Sequence, residues 1–310
     1  EDPQENLKLL LNTQTPNAQE TALHLVCHNK FCNTATGIKI IDELLQHGAN
    51  IEVRNSFGQT PLFVAAQQGQ LEFVQHLIER GANIEATEKE QATPLYISCE
   101  RGFLPVMKYL IQKGAKLDAR ELNGATALFI AAQKGFHEIV TELLKCGADP
   151  NVQANDGTTA LHVAVDKVSK DAIKELLKNP LINTNLVTKR TGKTPLHIAA
   201  IRGSEEVTKL LLQKGSNPNA VTKDGKKPYE LATRTSVQKL LYDASMGVKQ
   251  SAPSTAPSVA AQPPIIQPTP AQTTPAQNAS NYGLTPTTAT NTTTRFELFT
   301  PPPKQTAPPQ

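Results

Sequence analysis

Cys27, His28 and Cys32 are the one cluster in the chain whose side-chain types and spacing suggest chemistry. A thiol beside an imidazole pairs a nucleophile with a base, and two thiols with an imidazole supply three of the four ligands of a structural zinc. No fourth ligand stands at metal spacing. Cys27 and Cys99 also fall at a recurring position that holds Ala66, Ala132 and Ala200 elsewhere, so both are read as small buried residues. The four cysteines, with Cys146, form no Cys-x-x-Cys pair and fit free thiols in a reducing compartment. No Gly-rich phosphate loop, His-Glu-x-x-His or Gly-x-Ser-x-Gly is present. The sequence therefore predicts no catalytic residues, no metal and no cofactor.

The histidines point the same way. His24, His162 and His197 share one register position, where Phe63, Tyr96 and Phe129 replace them. A phenyl ring cannot move a proton, so the position is structural. His47, His76 and His137 lie on or beside second helices, far apart along the chain.

These register positions belong to an internal repeat of about 33 residues. Thr60-Pro61-Leu62-Phe63 recurs as Thr93-Pro94-Leu95-Tyr96, Thr126-Ala127-Leu128-Phe129, Thr159-Ala160-Leu161-His162 and Thr194-Pro195-Leu196-His197. Thr21-Ala22-Leu23-His24 is an earlier copy and Lys227-Pro228-Tyr229-Glu230 a worn final one. Thr caps a helix N-terminus, and Pro fits the first helical position, where no N–H donor is needed. Gly69, Gly102, Gly135 and Gly203 stop this first helix. A second amphipathic helix follows, as in Leu71-Glu72-Phe73-Val74-Gln75-His76-Leu77-Ile78, and Gly48, Gly81, Gly114, Gly147 and Gly215 mark its end. Asn123-Gly124, Asp156-Gly157 and Asp224-Gly225 are tight-turn dipeptides in the return segments.

The pattern resembles the ankyrin repeat over roughly residues 5 to 243. The resemblance implies an all-α solenoid of stacked helix-turn-helix units with β-hairpin fingers. It also implies that the signature His ties neighbouring loops together. Repeats are placed near 19–52, 57–89, 90–122, 123–155, 156–190 and 191–223, with a degenerate cap at 224–243. The first copy carries six extra residues, around Asn29 to Thr36, between its two helices. The fifth has Val168 in place of the first glycine and Pro180 in place of the second. Lys8-Leu9-Leu10-Leu11 echoes Lys209-Leu210-Leu211-Leu212 and reads as the second helix of a preceding half repeat.

Residues 244–310 form a Pro/Thr/Ala/Gln-rich tail holding 13 of the chain's 23 prolines, a composition expected to be disordered. Its one apolar island, with Phe296, Leu298 and Phe299, is a candidate docking motif.

The remaining function class is binding. A net charge of +3 gives no general attraction to nucleic acid or membrane, and no apolar run is long enough to span a bilayer. The chain is thus read as an intracellular monomer, cytoplasmic or in a host cytosol if exported, scaffolding another protein, folded or an extended peptide. Alternatives are the targeting module of a larger enzyme or channel and an effector exported by an intracellular bacterium; the missing initiator Met fits a removed leader or a fragment.

In ankyrin-like stacks the finger tips and the exposed end of the first helix line the concave face. By register these are Ser56, Phe57, Gln59, Gln67 and Gln68, then Lys89, Glu90, Glu100 and Arg101, then Leu122, Asn123, Gln133 and Lys134. Later repeats supply Asn155, Asp156, Asp166 and Lys167, then Arg190, Lys193, Ile201 and Arg202. Phe57 and Leu122 put large apolar side chains where turns prefer polar ones. With Glu90, Arg101 and Lys134 they are expected at matching positions of three successive repeats. Charge is graded, with Glu85, Glu88, Glu90 and Glu100 early and Lys189, Arg190, Lys193, Arg202, Lys223, Lys226 and Lys227 late.

Overall fold

The computed structural model describes residues 11–28 and 33–247, all within one compact unit. Its repeats are helix pairs. The first helices are α1 (Ala22–Cys27), α3 (Pro61–Gln68), α5 (Pro94–Arg101), α7 (Ala127–Lys134), α9 (Ala160–Asp166) and α11 (Pro195–Arg202). The second helices are α2 (Thr34–Gln46), α4 (Leu71–Glu79), α6 (Leu104–Gln112), α8 (His137–Lys145), α10 (Lys170–Lys178) and α12 (Glu205–Gln213). A short 3₁₀ helix (Pro228–Leu231) replaces the first helix of the final copy, and α13 (Thr235–Ser245) closes the stack two residues beyond position 243. First helices pack on first helices and second on second, giving two rows.

The caps follow the sequence. The hydroxyls of Thr60, Thr93 and Thr126 accept the backbone N–H of Phe63, Tyr96 and Phe129, each worth about 1 kcal/mol. The first helices lie close because Ala65, Ala66, Ala131, Ala132, Ala199 and Ala200 are fully buried and bring no bulk to the contact. Second helices supply volume on one face: α4 buries Phe73, Val74 and Leu77 while Glu72 and Glu79 face water.

Gly69 ends α3 at φ 74°, and a Cβ there would sit 2.7 Å from the Phe103 ring of the next repeat. Left-handed backbone and close packing both demand glycine here. Val168 ends the corresponding turn of the fifth copy at φ 56°, so the turn keeps its left-handed residue without glycine. A β-branched side chain is strained there.

Two expectations are modified, and two fall outside the described residues. The first copy's extra residues do not all lie between helices, since Thr34–Thr36 form the first turn of α2, which Asn33 caps. That helix has 13 residues against nine in α4. Lengthening the second helix absorbs part of the insertion without breaking the stack. The half repeat at residues 8–11 lies outside the described residues except for Leu11, and so does the whole tail motif with Phe296, Leu298 and Phe299. The fingers contain no extended strand among the described residues; each is a reverse turn closed by two backbone bonds, as in Asn55 N–H to Gln59 O at 3.0 Å and Gly58 N–H to Asn55 O at 2.8 Å.

Candidate functional site

The fingers are locked to one another by a backbone ladder. Lys89 N–H donates to Phe57 O, Leu122 to Glu90 O, Asn155 to Asn123 O, Lys189 to Asp156 O and Lys223 to Thr191 O, at 2.7–3.2 Å. The ladder defines the register of the tips. Phe57 matches Glu90 and Asn123, whereas Leu122 matches Ser56 and Lys89. Phe57 and Leu122 therefore stand at adjacent tip positions of their fingers, not at the same one.

The signature histidines brace this array. Nδ1 of His24, His162 and His197 accepts the backbone N–H of Thr21, Thr159 and Thr194 at 3.1–3.2 Å. The ring proton is thereby placed on Nε2, which donates to the carbonyl of the following finger: Gln59 at 2.9 Å, Lys193 at 3.2 Å and Lys226 at 3.2 Å. Burial holds all three imidazoles below their ordinary value, His162 down to about 4. These rings are neutral braces, as the resemblance implied.

Where aromatics replace them, the rings floor two adjoining clefts. One is lined by Phe63, Tyr96, Glu88, Glu90, Glu100 and Arg101, the next by Tyr96, Phe129, Glu121, Asn123 and Asn155. Burial pushes the Tyr96 hydroxyl up, and Glu121 and Glu100 push it further. Tyr96 thus stays a neutral hydrogen-bonding group in an acidic setting.

The structure sorts the expected contact residues into two sets. Some serve the stack. Gln59 accepts from the Asn55 amide at 3.1 Å, and the Asn155 amide donates to Leu122 O at 2.9 Å. Asn123 reaches Glu121, and the main chain of Ser56 and Lys193 is held by Ala18 and His162. Glu100 pairs with Lys134 at 3.5 Å, and Asp166 with Arg202 at 2.5 Å. Such exposed pairs add little stability and keep the helix ends aligned. The second set is open to solvent: Phe57 (58% exposed) and Leu122 (50%), with Lys89, Glu90, Arg101, Asp156, Lys167 and Arg190. Gln67, Gln68, Gln133 and Ile201 are half-buried on the exposed ends of α3, α7 and α11.

Two further apolar finger residues, Val187 (45%) and Val221 (54%), are also exposed. Sequence reasoning passed over them. Aligning the fingers against each other is the signal that finds them, because earlier copies place Arg54, Arg120 and Gln153 there.

Of the amino-terminal cluster, the described members Cys27 and His28 form no nucleophile–base pair. Cys27 is fully buried and burial drives its thiol upward, the reverse of what a nucleophile needs. His28 turns its Nε2 to Glu20 Oε1 at 2.7 Å, and Cys32 lies outside the described residues. No grouping of three His, Cys, Asp or Glu suited to a metal exists among the described residues. Among them, too, no helix is long and apolar enough to cross a membrane.

Comparison with known proteins agrees with this geometry. The family model described as ankyrin repeats (3 copies) matches residues 2–88, 31–121, 72–154, 117–186, 134–224 and 171–254. Protein glp-1 of Caenorhabditis elegans is 36% identical over 77 residues, which are 23% of this chain and only 6% of that protein. The crystal structure of the ankyrin repeat domain of Bcl-3, described as a unique member of the IkappaB protein family, superposes with a TM-score of 0.65. It is 25% identical, over 72% of this chain and 98% of that one. The human ASB11 ankyrin repeat domain gives a TM-score of 0.61 at 25% identity, over 72% and 97%.

Proposed function

Since the chain belongs to the ankyrin-repeat family, whose domains generally serve as protein–protein interaction modules, we propose that it is a non-catalytic scaffold that grips a partner protein across its finger tips and first-helix ends. One observation carries this reading. Phe57 and Leu122 hold more than half, and half, of their surface in water on fingers whose backbone is fixed by the ladder. Neither side chain is needed to bury the core, so both are free to meet a partner. Burying each would contribute on the order of 1–3 kcal/mol. A preorganised backbone lowers the entropy lost on binding.

Glu90, Arg101 and Lys134 would set orientation and association rate, because exposed charges steer more than they hold. The bound protein is a folded surface or an extended peptide lying along the strip above Phe63, Tyr96 and Phe129.

The experiment has two stages. A photo-crosslinking phenylalanine analogue at position 57, in the expressing cell, traps the partner covalently. A binding isotherm of the purified pair then compares the natural chain with Phe57→Ser/Leu122→Ser. Loss of affinity in a folded double variant supports the strip; equal affinity removes it.

A further inference from the structure

The last two fingers expose a different chemistry from the earlier ones. The residue entering each finger is Arg54, Thr87, Arg120, Gln153, Val187 and Val221 in chain order. Arg54 donates to Gly58 O at 2.7 Å and to Thr87 O, Arg120 to Gln153 O at 2.5 Å, and Gln153 to Gly157 O at 2.8 Å and Val187 O at 3.1 Å. Those side chains strap one finger to the next. Val187 and Val221 cannot donate, and they leave apolar surface in water where the strap would lie. Between them runs a groove of about 510 Å3, rimmed by Lys189 and Lys223, which share a register position.

The charge around this groove is one-sided. Residues 187–193 and 221–227 carry six cations, Lys189, Arg190, Lys193, Lys223, Lys226 and Lys227, against one carboxylate, Asp224. None of the six forms an ion pair among the described residues, whereas Lys134 and Arg202 on the helix ends do. Packing six like charges together is unfavourable in the free chain and favourable once an anionic partner neutralises them. The backbone beneath is braced, because His162 and His197 hold the carbonyls of Lys193 and Lys226.

We infer that this groove docks an extended acidic segment of a partner protein, with carboxylates on Lys189 and Lys223 and apolar side chains over Val187 and Val221. The surface is separate from the Phe57–Leu122 strip, so the inference stands or falls without it. Single-stranded nucleic acid shares the charge, but no aromatic ring lines the groove to stack a base.

Fluorescence anisotropy with the full chain tests it, using a short labelled peptide repeating Glu-Glu-Leu, its Lys-Lys-Leu counterpart and a short oligothymidylate. The acidic peptide binds, and added salt weakens it. Lys189→Glu/Lys223→Glu reduces its affinity at least about tenfold. Val187→Gln/Val221→Gln, which restores the polar residue of the fourth finger, reduces it about threefold or more. Phe57→Ser/Leu122→Ser leaves it unchanged, which separates this surface from the strip. Circular dichroism confirms that each variant is folded. No binding, equal binding of the Lys-Lys-Leu peptide, indifference to charge reversal, or tighter binding of the oligothymidylate would overturn the inference.

Discussion

His24 and Gln59, 35 residues apart, are joined by a 2.9 Å hydrogen bond from the ring Nε2 to the backbone carbonyl. The same bond joins His162 to Lys193 and His197 to Lys226. In each case the other ring nitrogen accepts from the capping threonine, so both bonds exist together only while the ring is neutral. Protonating Nδ1 would set a donor against a donor in a buried place.

Stability should consequently fall in mild acid. Below pH 6.5 the unfolded chain takes up protons on these rings that the folded chain, with His162 near 4, does not bind. Their contribution is complete above pH 6.5 and is lost as pH falls toward 4, on the order of 3 kcal/mol from His162 at full effect. Urea unfolding at pH 7 and pH 5 measures it, and His162→Phe, the aromatic that earlier copies use, should flatten the dependence. An unchanged slope in that variant would mean that His162 contributes nothing to the acid response.

Gly69→Ala should destabilise the chain by about 1–2 kcal/mol, because it combines left-handed backbone with a contact against Phe103. Gly81→Ala meets the backbone strain but has nothing within 4 Å of the new Cβ. Thermal melts should therefore rank Gly69→Ala below Gly81→Ala; the reverse order would place Phe103 elsewhere.

The thiols should divide by burial. Cys27 and Cys99 are buried, with Cys99 pushed up to about 12, whereas Cys146 is exposed. In a Cys32→Ser chain, dithiobis(nitrobenzoate) should titrate a single thiol under native conditions and three in denaturant. Native labelling of Cys27 at the rate of Cys146 would reopen the case for a reactive amino-terminal centre.

Much of this architecture could be read in the sequence because a repeat states its rules several times over. Thr60, Gly69 and Gly81 each recur about every 33 residues in most copies, and each does one job in a helix pair. What escaped depends on how adjacent copies meet. Val168 keeps a left-handed turn, closed by its own N–H to Val165 O and by Ser169 N–H to Ala164 O, although the glycine signal is missing. Thr34–Thr36 join α2 because Asn33 caps it, and spacing alone cannot assign extra residues to a loop or a helix. The offset between Phe57 and Leu122 emerges only from the finger ladder. The exposure of Val187 and Val221 becomes visible once Arg54, Arg120 and Gln153 are seen strapping the other fingers.

The scaffold reading rests on Phe57 and Leu122 acting as anchors, and one comparison tests it most directly: the partner affinity of Phe57→Ser/Leu122→Ser against the natural chain, with helical content and melting temperature measured alongside. Because both side chains are at least half exposed, the fold and melting temperature should hardly change. Affinity should fall at least about tenfold, a loss of about 1.4 kcal/mol or more. A double variant that folds and binds its partner at full strength would contradict the account.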